Sequence, residues 1–399
     1  MTHSSANNNP TGSGNNQTNN NQFDWRAEFP VNDECMYLNH AAVAPWPESA
    51  RKAVANFAAE NVAMGASHYP EWMQVEKSLK RNLEQLIDAP KGSVALVKNT
   101  SEALSFVAYG LDWQAGDVVV ISDQEFPSNR IVWESLQNQG VKVVEVALPY
   151  SDPEAELLTA IAQKPKLVSI SAVQYASGLR LDINRIGQAC RDNGVLFCID
   201  AIQAVGAQAF SVQENLCDFA MADGHKWMLG PEGLGFFYVR PEIMDQLQVR
   251  EFGWHMVEEM GNYNVREWQL ASDARRFECG SPNLLASYAL EASTGLLLKA
   301  GLPQVEYAIS ERVQYLKQGL TELEANFVNP LLDERPSGIL TFHFWGADSQ
   351  KLYQALMKTG VICANRGGGV RFSPHFHTTQ DALDDALEAV EEMLEFCRD

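Results

Sequence analysis

From Ala89 onward, short runs of β-branched and apolar residues alternate with longer stretches of helical periodicity, and this alternation leaves few folds open. The runs are VALV (Val94–Val97), DVVVI (Asp117–Ile121), VKVVEV (Val141–Val146), LVSIS (Leu167–Ser171), VLFCI (Val195–Ile199), DFAMA (Asp218–Ala222) and LGFFYV (Leu234–Val239). Most are continuously apolar rather than alternating, as strands covered on both faces by helices are. Seven such strands with intervening helices predict an α/β fold built on a mostly parallel, doubly wound seven-stranded sheet with helices on both faces. The last two are joined by a connection too short for a helical crossover, so one of them is expected to run antiparallel. After about residue 290 the pattern changes. Helical stretches (Ala286–Leu298, Pro303–Phe327) lead to strands ILTFHF (Ile339–Phe344) and VRFS (Val370–Ser373) and a closing helix DDALEAVEEMLEF. These predict a smaller C-terminal α+β domain over residues 291–399 beside a large domain over 61–290. Segment 23–60 is expected to pack with the small domain. The first 22 residues, rich in Asn and without an apolar core, read as a disordered polar tail rather than a secretory signal.

Composition narrows the function. Thirty Lys and Arg stand against fifty-one Asp and Glu, a formal net charge of −21, and no basic run occurs. A nucleic-acid partner needs clustered cations and is excluded. No apolar stretch approaches the roughly 18 to 20 residues of a membrane span, so no membrane partner is expected. The seven cysteines are scattered, odd in number and without a C-x-x-C pair. This fits a reducing cytoplasm and offers no zinc motif, so no metal site is predicted.

In a doubly wound sheet, ligands bind beyond the carboxyl ends of the strands. After VALV, Thr100 and Ser101 open a helix and form either a plain N-cap or part of an anion site. After VLFCI stands Asp200, with Gln203 three residues on, and a carboxylate there either caps the next helix or pairs with a cation. After DFAMA come Asp223, Gly224, His225 and Lys226, the lysine set between a buried strand and a Gly-Pro-Glu-Gly turn. Such a lysine suits a Schiff-base amine. Anion cradle, carboxylate and lysine together are the set that pyridoxal phosphate (PLP) needs: a phosphate grip, a partner for the pyridine nitrogen and an imine-forming amine.

The motifs YLNHAAVAP, KNTSEAL, EFPSN, VQYASG, IDAIQAVG, DGHKWMLGPEGLGFFYV, RRFECGSPN and the late Arg371 resemble those of the class V aminotransferase family of fold-type I PLP enzymes. That group holds cysteine desulfurases, cystine C–S lyases, kynureninases and isopenicillin-N-epimerase-like proteins, and the resemblance runs from about Tyr37 to the C-terminus. It implies that Lys226 is the Schiff-base lysine and Asp200 the partner of the ring nitrogen. It implies further that Gln203 bonds the ring oxygen and that Thr100, Ser101, Asp223 and His225 hold the phosphate. Phe126 takes the stacking position, and Gln174 or its neighbour Tyr175 touches the cofactor. Ser281 implies a homodimer, since in the family it reaches the partner's phosphate. Arg371 matches the arginine that clamps the substrate carboxylate. Arg366 and His40 are further candidates on the substrate side.

The pattern also departs from the family. A persulfide-forming desulfurase carries a cysteine on a mobile loop just before the substrate arginine, and here Asn365–Arg371 has none. Cys363 lies in an apolar run and Cys279 in the RFECGS motif, positions that suit inert thiols. Phe126 stands where desulfurases place a histidine, and His225 where kynureninases place a tyrosine. The resulting expectation is a PLP enzyme acting on an α-amino acid, breaking a bond at Cβ as a C–S lyase does. Aminotransferase or epimerase action is the alternative within the family. A non-catalytic PLP-fold regulatory protein is the alternative outside it, and the presence of Lys226 argues against that.

Overall fold

The computed structural model describes residues 25–264 and 266–398. The predicted polar tail lies outside them. The described chain opens with helix α1 (Trp25–Glu28), strand β1 (Met36–Tyr37) and long helices α2 (Glu48–Met64) and α3 (Tyr69–Leu86). Strands β2 (Val94–Val97), β3 (Val118–Ser122), β4 (Lys142–Val146), β5 (Leu167–Ser171) and β6 (Leu196–Asp200) then alternate with α4 (Thr100–Gly110), α5 (Ser128–Glu134), α6 (Ala155–Ile161) and α7 (Ile183–Asn193). Strands β7 (Phe219–Asp223) and β8 (Gly235–Val239) follow without an intervening helix.

These seven strands form one sheet in the order β2-β8-β7-β6-β5-β3-β4. Only β8 is antiparallel to its neighbours, as its short connection to β7 requires. Alternate residues feed two cores. Val168, Ile170, Phe197, Ile199 and Ala220 pack on one face with α3, α7 and the later helix α8 (Leu284–Ala300). Leu167, Cys198, Phe219, Met221 and Phe237 pack on the other with α4 and α5. Burial on both faces is why the strands read as unbroken apolar runs. The edge strand β4 is the exception, with a half-exposed VKVVEV.

Helices α8 (Leu284–Ala300) and α9 (Leu302–Glu322) meet at Gly301, whose φ of +83° no other residue type adopts readily. Helix α9 stops at Glu322, short of the predicted Phe327, because β9 (Asn326–Phe327) is drawn into a second sheet. Strand β10 (Leu340–His343), helix α10 (Ser349–Lys358), the strands β11 (Val361–Ile362), β12 (Ala364–Arg366) and β13 (Gly369–Phe372), and helix α11 (Gln380–Cys397) complete the chain. The second sheet is antiparallel, ordered β12-β13-β10-β9, and β1 pairs in parallel with β11. No helix of the described residues is long and apolar enough to cross a membrane.

Candidate active site

Three strands of the large sheet end on polar residues at one place: β5 on Ser171, β6 on Asp200 and β7 on Asp223. Helix α4 begins beside them, with Asn99 as its cap through a bond from the Glu102 amide, so Thr100 is the first helical residue rather than the cap. A cavity of about 280 Å³ opens there, bordered on its floor by Asp200, Gln203, Asp223 and Lys226. Thr100, Ser101, Ser128 and His225 border one end, and Tyr175, Arg366 and Arg371 the other. A larger cavity of about 960 Å³ lies at the amino ends of the strands. There Lys166 is already paired with Asp117 at 2.6 Å, and nothing in it resembles a catalytic set.

Electrostatics sets the floor apart. Burial raises the Asp200 pKa, and the Ile202 amide (3.0 Å to Oδ1) and Lys226 only partly oppose it. Burial lowers that of Lys226, Asp200 opposes the shift and the charge on Arg371 adds to it. An amine whose charge is weakened and a carboxylate short of a full cationic partner are what a site that receives a cofactor would present. Asp223 accepts from the Thr100 amide at 2.6 Å, and burial raises it to about 6. His225 Nδ1 is buried 3.5 Å from Asp223 Oδ2 without a hydrogen bond, and burial holds the ring near 4, hence neutral. The Gln203 amide is oriented by its neighbours: Nε2 donates to the Ala41 carbonyl at 3.0 Å, and Oε1 accepts from the Trp227 indole at 2.8 Å.

Arg371, 2% exposed, donates through Nη1 to the Tyr175 carbonyl at 2.7 Å, while its Nε is buried without a partner. No carboxylate among the described residues pairs with it, and burial, with Arg366 nearby, draws it down to about 10. Lys226 Nζ stands 5.8 Å from the centre of the Phe126 ring, which packs edge-on to Tyr175 at 5.2 Å.

Three predicted residues stand elsewhere. Gln174 is buried behind the cavity, its amide turned to Ser122, Glu125 and the Ser171 carbonyl, and Tyr175 takes the place at the cavity. His40 does not face the substrate space. It is fully buried below the floor, with Nδ1 on the Ser373 carbonyl at 3.0 Å and Nε2 on His377 Nε2 at 3.1 Å. Ser281 is exposed and borders a separate cavity with Lys98, Glu102 and Cys279.

The structure also brings in residues without a sequence signal. Ser128 bonds Ser101 through their hydroxyls at 2.8 Å, and Glu232 of the Gly-Pro-Glu-Gly turn borders the cavity. Buried Glu125 accepts from Ser122, Asn129 and both the amide and hydroxyl of Ser171, which fixes the start of the segment bearing Phe126. Beneath the lysine lies a row of imidazoles. His375 Nδ1 accepts from the Phe376 amide, so its Nε2 carries the proton and donates to the Trp227 carbonyl at 3.1 Å. By the same logic His40 donates through Nδ1 and accepts from His377. All three are neutral, with burial lowering each pKa.

The side chains fit PLP. Hydroxyls at a helix start suit a phosphate, Asp200 lacks a full cationic partner as the pyridine nitrogen requires, and Lys226 is the one amine on the floor. None of the seven cysteines, all of them described, borders the cavity.

The family model "Aminotransferase class-V" matches residues 36–385. A probable cysteine desulfurase of Pyrococcus abyssi is 26% identical, the match covering 94% of this chain and 98% of that protein. The isopenicillin N epimerase of Streptomyces clavuligerus is also 26% identical, over 92% of this chain and 98% of its own. In fold, the chain is similar to the apo cysteine desulfurase of Thermococcus onnurineus NA1, with a TM-score of 0.83, 23% identity and coverage of 94% and 98%. It is equally similar to the cystine C–S lyase C-DES in complex with cysteine persulfide, at a TM-score of 0.83, 20% identity and coverage of 91% and 98%.

Proposed function

The chain belongs to the class V aminotransferase family and is a PLP-dependent, cysteine desulfurase-like enzyme, and from that premise we propose that it is a C–S lyase working without a persulfide cysteine. The observation that carries this reading is the absence of any cysteine from the Lys226 cavity. Cys363, just before β12, is buried and pushed up to about 12 by that burial. Cys279 is raised by burial and by Glu251, and lies in the other cavity. Neither is a thiolate within reach of the floor. Sulfur leaving the substrate therefore departs as a small molecule.

Bound in the cavity, PLP supplies an electron sink for the pair left at the substrate α-carbon. Asp200 would hold the ring nitrogen protonated: at an effective dielectric near 20, an ion pair at about 4 Å contributes roughly 4 kcal/mol, or about 3 pKa units. Thr100, Ser101, Ser128 and His225 would hold the phosphate, and Gln203 has a second amide hydrogen free for the ring oxygen. Lys226, drawn down to about 8 by burial and so readier to give up its proton, would be the amine that holds the cofactor and the base that takes the α-proton. Arg371 receives the α-carboxylate with a guanidinium whose Nε has no protein partner. Arg366 closes the rim above it. The exposure of Ser281 outside its own chain's cavity supports a homodimer in which it reaches the partner's phosphate site.

The test is a substrate assay of the purified holoenzyme with cystine, cysteine and alanine. Pyruvate and a sulfur product from cystine or cysteine, retained when Cys363 and Cys279 are both replaced by Ser, support the lyase. Keto-acid-dependent amino transfer, or loss of sulfur release in the double variant, overturns it.

A further inference from the structure

Away from the Lys226 cavity, charged groups from three segments distant in sequence also gather around buried His255. Glu76 and Lys80 stand one turn apart on α3, His255 lies on the connection after β8, and Glu278 follows the turn Ala274–Phe277. His255 is 1% exposed, Glu76 3% and Glu278 9%. Lys80 Nζ meets Glu76 Oε1 at 2.9 Å and Glu278 Oε2 at 2.7 Å. Two carboxylates thus share one ammonium.

Unpaired atoms converge on the same point. Both ring nitrogens of His255 and Oε2 of Glu76 are buried without a hydrogen-bond partner. Nδ1 is 3.4 Å from Glu278 Oε2, and Nε2 is 3.9 Å from Glu76 Oε2. A neutral imidazole donates from only one nitrogen, so it cannot satisfy both carboxylates. Buried polar atoms left unpaired in this way call for something among them. One ligand atom from each of Glu76, His255 and Glu278 lies within 4.8 Å of the others.

Two carboxylates and a neutral imidazole are a donor set for zinc and its first-row neighbours. Supporting contacts fix it from outside: the Leu96 amide donates to Glu278 Oε1 at 2.8 Å, and Arg275 holds the His255 carbonyl at 2.6 Å. A cavity of about 280 Å³ reaches His255 and Glu278 and supplies a way in.

We propose that Glu76, His255 and Glu278 form a binding site for a divalent first-row metal ion, Zn²⁺ foremost, whose place Lys80 fills when no metal is bound. The two carboxylates neutralise the ion, and the Lys80 side chain, 17% exposed, turns its ammonium to water. The ion would tie α3 to the β8 connection and to the segment that continues into Cys279, Gly280 and Ser281.

The test strips the holoenzyme with a chelator, desalts it and titrates it with CoCl₂ as a spectroscopic probe and with ZnCl₂. One equivalent of Co²⁺ with visible d–d absorption is expected, displaced by Zn²⁺. Glu76→Gln and His255→Ala should weaken uptake on the order of a hundredfold, and Lys80→Met, which removes the competing cation, should strengthen it about tenfold. Each variant is checked for its cofactor absorbance, so that lost metal is told apart from lost fold. No stoichiometric Co²⁺ on the wild-type protein overturns the proposal. So does uptake that Glu76→Gln leaves unchanged, which would put the ion at the cofactor or the surface.

Discussion

The floor of the Lys226 cavity and its rim are built differently. On the floor, Asp200 and Asp223 end buried strands, Lys226 follows one of them, and Gln203 is held at both ends of its amide. On the rim, Phe126 is 43% exposed and Arg366 sits at the tip of the β12–β13 hairpin, its guanidinium bonded among the described residues only to the carbonyl of Asn365. Arg371 lies between the two, carried on β13 yet almost fully buried. Groups that must hold one geometry are on the rigid sheet, and groups that admit and release a small molecule are on turns.

Substitutions put that contrast at risk in descending order. Lys226→Ala should remove the yellow absorbance of the holoenzyme and lower kcat by at least about 10³-fold. Retention of both would undo the assignment of the floor. Asp200→Asn removes the carboxylate proposed to hold the ring nitrogen and should cost on the order of 10²- to 10³-fold in kcat/KM, with little change in PLP content. Steady-state kinetics with reconstituted enzyme reads this.

The imidazole row below the floor gives a pH signature. His40 titrates near 4 in the fold against 6.5 in the unfolded chain, so below about pH 6.5 the unfolded state binds the extra proton. Stability is therefore intact above that pH and falls as the pH drops toward 4, by about 3 kcal/mol for His40 alone. Thermal unfolding followed from about pH 7 to about pH 5 should show the decline, and His40→Gln should flatten it. At the intermediate position, Arg371→Lys should raise KM about tenfold to a hundredfold while changing kcat less, because a point charge replaces a fork. On the rim, Arg366→Ala should shift KM by only about fivefold, the scale of an exposed ion pair. An Arg366 effect as large as that at Arg371 would erase the division between floor and rim.

The same division governs what could be read from sequence. Continuous apolar runs announce strands buried on both faces, and the residue just past such a run has nowhere to go but the strand end, so Asp200, Asp223 and Lys226 could be placed from their neighbours alone. Gln174 and Tyr175 stand three and four residues beyond Ser171, the last residue of β5, where a shift of one residue reverses which side faces the cavity. Linear spacing does not encode that parity. His40 is set by His375 and His377, more than three hundred residues away and joined to it only through packing of β1 and β13 segments. The Glu76–His255–Glu278 group has no motif for the same reason. Ser281 is exposed and borders a cavity separate from the Lys226 site, so its proposed contact lies on another subunit.

The missing helix between β7 and β8 has a mechanical consequence. Lys226 lies on an eleven-residue link whose Gly224 amide bonds the Leu234 carbonyl, whose Gly230 amide bonds the Gly224 carbonyl, and whose His225 carbonyl accepts from Ala44 at 2.7 Å. The lysine is riveted at both ends and cannot swing out to meet an incoming molecule. Any opening and closing during turnover falls to the opposite wall, where the hairpin carrying Arg366 and Arg371 turns on Gly367 and Gly368 at φ +59° and +82°. If Arg371 takes the substrate carboxylate as proposed, the anvil is fixed and the hammer is expected to be that clamp.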